Sequence, residues 1–81
     1  MLTLYIKDGC PFSANARAIV RELELSCTEK NIAEDGVRDE LIELGGKSQV
    51  PFLYDPEKNI KLYESDDISK YLIEEYTAKY I

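Results

Sequence analysis

The chain has 81 residues, 44% apolar and 32% charged, an ordinary globular composition with room for one hydrophobic core, so residues 1–81 are expected to form a single domain. Sixteen acidic residues against ten basic ones leave a net charge of -6, and the basic residues are scattered rather than gathered in a stripe, which excludes nucleic acid and anionic membrane as expected partners. No apolar run nears the roughly 20 residues that span a bilayer. Met1-Leu2-Thr3-Leu4-Tyr5 leads straight into charged sequence with no apolar leader segment and cleavage site, so the expected location is the cytoplasm.

Leu2, Leu4 and Ile6 alternate with Thr3 and Tyr5, a period of two that predicts a strand ending near Lys7, where Asp8-Gly9 breaks it. Beyond Cys10-Pro11, the residues Phe12, Ala16, Ile19, Val20 and Leu23 fall at helical spacing, with Asn15, Arg21, Glu22 and Glu24 left for water. Leu25 to Ile32 alternates poorly, and a second strand is assigned there because a short segment between two helices needs a place in a compact fold. From Gly36, Val37, Leu41 and Leu44 form another helical stripe, which Gly45-Gly46 ends because glycine accepts the left-handed backbone common after a helix.

Val50-Pro51-Phe52-Leu53-Tyr54 and Ile60-Lys61-Leu62-Tyr63 then read as two short antiparallel strands joined by the turn Asp55-Pro56-Glu57-Lys58-Asn59. Ser65 is a natural helix N-cap, Asp66 and Asp67 suit the positive end of a helix, and Ile68, Tyr71, Leu72 and Tyr76 mark its buried face. The order βαβαββα predicts an α/β protein with a four-stranded mixed sheet flanked by helices.

The two cysteines, in a chain without histidine, make neither a disulfide framework nor a zinc site, and no metal is expected. Cys-His nucleophile schemes are closed for the same reason. Cys10 lies where a strand gives way to a helix, with Pro11 well suited to the first helical position. Free N–H groups and the positive end of the helix dipole stabilise an anion there, so the thiol is expected to ionise below the roughly 8.5 of a free cysteine. Lys7 adds a positive charge nearby, and the Ser13 hydroxyl falls in the first turn, where it could donate to the sulfur. The bland alternative makes Cys10 a small apolar N-cap residue.

Tyr5-Ile6-Lys7-Asp8-Gly9-Cys10-Pro11-Phe12-Ser13 resembles the active-site stretch of the glutaredoxin family, and Gln49-Val50-Pro51 with Glu64-Ser65-Asp66-Asp67 resembles its two glutathione-binding stretches. Val50-Pro51-Phe52-Leu53 and Tyr63-Glu64-Ser65 also resemble the first domain of glutathione transferases, which share the thioredoxin-like fold. The resemblance implies a glutathione-dependent thiol–disulfide oxidoreductase, with Cys10, Pro11 and Ser13 as the catalytic stretch. Glutathione would be the co-substrate, glutathionylated proteins the partners and the monomer the expected state.

By the same resemblance Pro51 follows a cis peptide bond, and the backbone of Val50 pairs with the cysteine of glutathione as an added strand would. Gln49, Glu64 and Phe12 belong to the expected binding surface. Ser65 and Asp66, assisted by Asp67, are expected to hold the γ-glutamyl end, which is compatible with plain helix capping. Lys7 and Lys47 stand where the family places cations for the glycine carboxylate.

Ser13 occupies the position where a dithiol member carries its resolving cysteine, so the implied mechanism is monothiol, and Cys27 is read as a buried strand residue. Two alternatives to the oxidoreductase stand. One is a glutathione-ligated iron–sulfur carrier, against which Pro11 and the short Lys7-Asp8-Gly9 approach argue. The other is a glutathione-binding module without turnover.

Overall fold

The computed structural model describes residues 2–76. Strand β1 (Leu2–Ile6) leads into helix α1 (Pro11–Glu22), strand β2 (Cys27–Asn31) and helix α2 (Val37–Gly45); β3 (Phe52–Asp55) and β4 (Ile60–Leu62) form a hairpin, and α3 (Ser65–Tyr76) closes the described chain. The sheet order is β2-β1-β3-β4, with β1 parallel to β2 and the other two pairs antiparallel. This is the four-stranded mixed sheet of a thioredoxin-like α/β fold, in the order that the punctuation of the sequence predicts.

Side-chain alternation on the two central strands divides the core into two layers. Leu2, Leu4 and Ile6 of β1 and Leu53 of β3 pack with Ala16 and Val20 of α1 and with Ile68 and Leu72 of α3. Tyr5 and Phe52 face the other way and enclose Leu41 of α2 and Ile32. The sheet is therefore covered on both faces, and Tyr5, expected to alternate with the apolar residues, is itself buried.

Several boundaries move from their expected places. Strand β2 is shorter than Leu25–Ile32 and lies at the sheet edge, where the weak alternation of its sequence suffices because one side has no neighbouring strand. Asp55, read as the first turn residue, is the buried last residue of β3 and pairs with Ile60. Ser65, read as an N-cap, is the first residue of α3; the carbonyl of Glu64 takes the first helical bond, from Ile68 N–H at 2.8 Å. Phe12, placed by its spacing on the apolar stripe of α1, is 61% exposed.

The last turn of α2 touches the hairpin closely. A Cβ on Gly45 would overlap the Tyr63 hydroxyl and come within 3.0 Å of the Phe52 ring. Gly45→Ala is thus expected to destabilise the fold by about 1–2 kcal/mol, since displacing two packed rings outweighs the small helix-propensity gain. Chemical denaturation checks this, and a gain in stability would contradict the packing described.

Candidate functional site

The turn between β1 and α1 is built by Gly9, whose φ of +79° is one that side-chain-bearing residues rarely adopt, and by a bond from Cys10 N–H to the Lys7 carbonyl at 3.3 Å. Cys10 follows in extended conformation as the N-cap of α1, with Pro11 at the helix start, and its own carbonyl takes the first helical bond from Ala14 N–H at 3.0 Å. The Cys10 thiol makes no capping bond, and the first turn of α1 carries no acidic residue. The positive end of the helix therefore faces the sulfur without an opposing carboxylate nearby in the turn.

Ser13 is 1% exposed beneath this turn. Its hydroxyl oxygen accepts from Lys7 N–H at 3.3 Å, which leaves the hydroxyl hydrogen to donate elsewhere. The Cys10 thiol is held below its ordinary value first by the Ser13 N–H and next by the Ser13 hydroxyl, against an opposing effect of burial that exceeds the further help of the Phe12 N–H. The Lys7 charge, named from the sequence as a neighbour of the thiol, is the smallest contributor of all. Donors fixed in the helix turn do most of the tuning because the lysine side chain lies out in solvent.

Cys27 has the opposite character. It is half-buried, not fully buried as expected, because its strand is at the edge, and it packs against the larger core. Burial first, and the Glu29 charge second, push its thiol up to about 11. It pairs with Leu2, at the opposite end of β1 from the turn that carries Cys10. Four strand steps separate Leu2 from Ile6, about 13 Å, whereas a disulfide needs Cα atoms within about 7 Å. Cys27 is not placed to resolve a disulfide at Cys10.

A cleft of about 320 Å³ opens beside the start of α1, lined by Phe12, Gln49, Val50, Pro51, Tyr63, Glu64, Ser65 and Asp66. Three segments distant in sequence meet there, and the volume is at the lower end of those of small-molecule sites. The Val50–Pro51 bond is cis. Val50 precedes the first paired residue of β3, so its main-chain groups are not committed to a neighbouring strand. Across the cleft Gln49 Nε2 donates to Glu64 Oε1 at 3.4 Å, joining two of the three segments. Asp67, Lys7 and Lys47 do not line it.

Tyr63 is a lining residue that the sequence reading missed. Its hydroxyl accepts from Lys47 N–H at 3.1 Å and donates to the Lys47 carbonyl at 2.9 Å, while its ring packs on Phe52 with centroids 4.5 Å apart. Its place after Leu62, immediately before Glu64-Ser65, was the available signal, since a residue ending a strand beside a binding segment borders that segment whichever way its side chain turns.

Residues 4–79 match the family model described as glutathione S-transferase, N-terminal domain. The chain belongs to this family. Among solved structures, this chain is similar to a glutathione S-transferase from the Antarctic clam Laternula elliptica, at 25% identity and a TM-score of 0.79, covering 94% of this chain and 35% of that one. It is also similar to glutaredoxin 2 from Salmonella typhimurium in complex with glutathione, at 28% identity and a TM-score of 0.75, covering 89% of this chain and 32% of that one. Ure2p in complex with glutathione shares the fold at 20% identity and a TM-score of 0.77, covering 96% of this chain and 34% of that one. The chain thus spans about a third of the length of these structures. No curated protein sequence matches it.

Proposed function

We propose that this domain binds glutathione in the cleft beside α1 and uses Cys10 for glutathione-dependent thiol–disulfide exchange. The observation that carries the reading is the position of the Cys10 thiol at the N-terminus of α1, where the helix turn lowers its pKa, next to a cleft that begins at Phe12. In this reading the Cys10 thiolate attacks the glutathione sulfur of a protein–glutathione disulfide. The S–S bond breaks, its electron pair leaves on the protein sulfur, and Cys10 becomes glutathionylated. A second glutathione, as thiolate, attacks that disulfide, so that oxidised glutathione departs and the Cys10 thiolate returns. One glutathione thiol is oxidised for each mixed disulfide cleaved, the other half of the departing oxidised glutathione coming from the substrate, and no second protein thiol takes part.

Within the cleft, the unpaired backbone at Val50 aligns the cysteine of the tripeptide, and the amides at the start of α3 with the Asp66 carboxylate receive the γ-glutamyl end. A reducing compartment such as the cytoplasm is the setting this chemistry requires. The family match favours a second reading, in which the same cleft holds glutathione for transfer to an electrophile and the domain is one part of a longer enzyme.

Turnover of a glutathionylated substrate, coupled to glutathione reductase and NADPH, separates the two. The full chain is expected to consume NADPH, and Cys10→Ser to fall to the uncatalysed background while retaining glutathione affinity. Binding of glutathione without turnover in the unaltered protein would leave only the transferase-type reading.

A further inference from the structure

Cys10 ends a turn whose own bonds are long, from Cys10 N–H to the Lys7 carbonyl and from Lys7 N–H to Ser13 Oγ, each at 3.3 Å. A shorter tie comes from outside the turn. Asn31, the last residue of β2 and the partner of Ile6 in the sheet, donates from Nδ2 to Asp8 Oδ2 at 3.0 Å. The Arg17 guanidinium, paired with Glu29 of β2 at 3.1 Å, stands 3.9 Å from the other Asp8 oxygen. The Asn31 amide is held in one orientation, because its Oδ1 accepts from Ala33 N–H at 2.9 Å and this leaves Nδ2 facing Asp8.

The sheet order gives this bond its meaning. Strand β2 lies on one side of β1, and β3 and β4, whose ends carry Val50-Pro51 and Glu64-Ser65 into the cleft, lie on the other. The Asp8 carboxylate is therefore drawn to the side of the turn away from the cleft. Its side chain is 79% exposed, so without Asn31 it is free to take the other rotamers that solvent allows, including those that bring its charge nearer to Cys10, two residues on. A carboxylate beside a thiol disfavours the thiolate. As held, Asp8 is not among the leading influences on the Cys10 thiol, whereas the Lys7 charge in the same turn is.

We infer that Asn31 is a positioning residue for Cys10, holding the Asp8 carboxylate against β2 and so keeping that charge off the sulfur. It acts through Asp8 and does not line the cleft. An asparagine suits the place because its amide accepts from Ala33 and donates to Asp8 at once; the shorter serine can make only the first bond. This rests on the reading of Cys10 as the reacting thiol, yet its ionisation is measured without glutathione, so failure of exchange and failure of the clamp are distinct results. The other charged groups about the turn are Lys7, Arg17 of α1 and Glu29 of β2, with Glu64 and Asp66 in the cleft, and all are left unaltered in the test.

The test is the rate of Cys10 alkylation by iodoacetamide against pH, read by mass spectrometry on the full chain. It compares the unaltered protein, Asn31→Ala, Asn31→Ser, Asp8→Asn and the double variant Asn31→Ala with Asp8→Asn, with a thermal melt of each. At low ionic strength Asn31→Ala is expected to raise the midpoint of the profile by about half a pH unit, the effect of a unit charge brought to about 5 Å in water-like surroundings, and about 1 M salt to erase most of that rise. Asn31→Ser, which keeps an acceptor for Ala33 N–H and adds no charge, is expected to raise it equally, and carries the test if the alanine variant does not fold. In the Asp8→Asn background, Asn31→Ala is expected to leave the midpoint where it is.

A midpoint unmoved in Asn31→Ala and Asn31→Ser would overturn the inference. So would an equal rise in the Asp8→Asn background or in high salt, which would make Asn31 a support of the turn without regard to charge.

Discussion

Treated with iodoacetamide at about pH 6, the folded protein is expected to lose its Cys10 thiol more than about tenfold faster than its Cys27 thiol. A thiol at about 11, as Cys27 is, carries about a hundredfold less thiolate than one at the ordinary 9.0, and Cys10 lies below that ordinary value. Each Cys27 thiolate is intrinsically the stronger nucleophile, which returns somewhat less than tenfold for that same interval. The ionisation difference wins. Partial burial of Cys27 against the core and the downward shift of Cys10 widen the gap further.

Mass spectrometry of the alkylated peptides reads both rates in one sample, and similar rates would remove the physical basis for assigning the chemistry to Cys10. Ser13→Ala refines the test. It retains the Ser13 N–H, the largest stabilising donor, and removes only the hydroxyl, so Cys10 labelling should slow at low pH yet reach the same plateau at high pH.

The thioredoxin-like order was legible because its punctuation is chemical. Gly9, Gly45-Gly46 and the Pro56–Asn59 turn interrupt segments whose periodicity switches between two and 3.6, and each interruption falls at or beside an element end in the structure. The site was legible for a related reason. A cysteine before a proline at a strand-to-helix junction sits at a helix N-terminus whatever the remainder of the chain does.

Less legible were features set by partners distant in sequence. The burial of Tyr5 could not be read from its alternation with the apolar residues, because a single strand cannot show that α2 will cover its second face. Phe12 satisfied the helical spacing of α1, but its ring is exposed and borders the cleft instead. Tyr63 and Asp55 were hidden likewise. Their importance lies in hydrogen bonds to residues 16 or more positions away, which no local pattern encodes.

Asp55→Ala is expected to cost about 3 kcal/mol and to lower Tm by more than about 10 °C. The carboxylate is 1% exposed and accepts from the Tyr71 hydroxyl at 2.7 Å and the Tyr76 hydroxyl at 2.6 Å, which pins α3 to the end of β3. Burial by itself would raise its pKa, but the two tyrosine hydroxyls, with the N–H groups of Lys58 and Glu57, outweigh that and hold it below the ordinary carboxylate value. The alanine leaves both hydroxyls without this acceptor in a partly dry setting, where an unmet donor is costly.

Because the folded pKa of Asp55 is depressed, its contribution is complete above the unfolded value of about 3.9 and is lost as pH falls through the folded value. The stability gap between the unaltered protein and Asp55→Asn should therefore be widest near neutral pH and narrow below about pH 4. Burial and the same carboxylate push Tyr76 up to about 12, so its share of the stability persists to neutral pH and beyond and fades only as strongly alkaline pH approaches that value. Thermal melts across pH check the acid limb, and a gap that stays constant down to pH 2 would show that the charge on Asp55 contributes nothing. Since the other end of α3 supplies Ser65 and Asp66 to the cleft, Asp55→Asn measured well below its Tm should still bind glutathione, which separates the anchor of the helix from the site at its start.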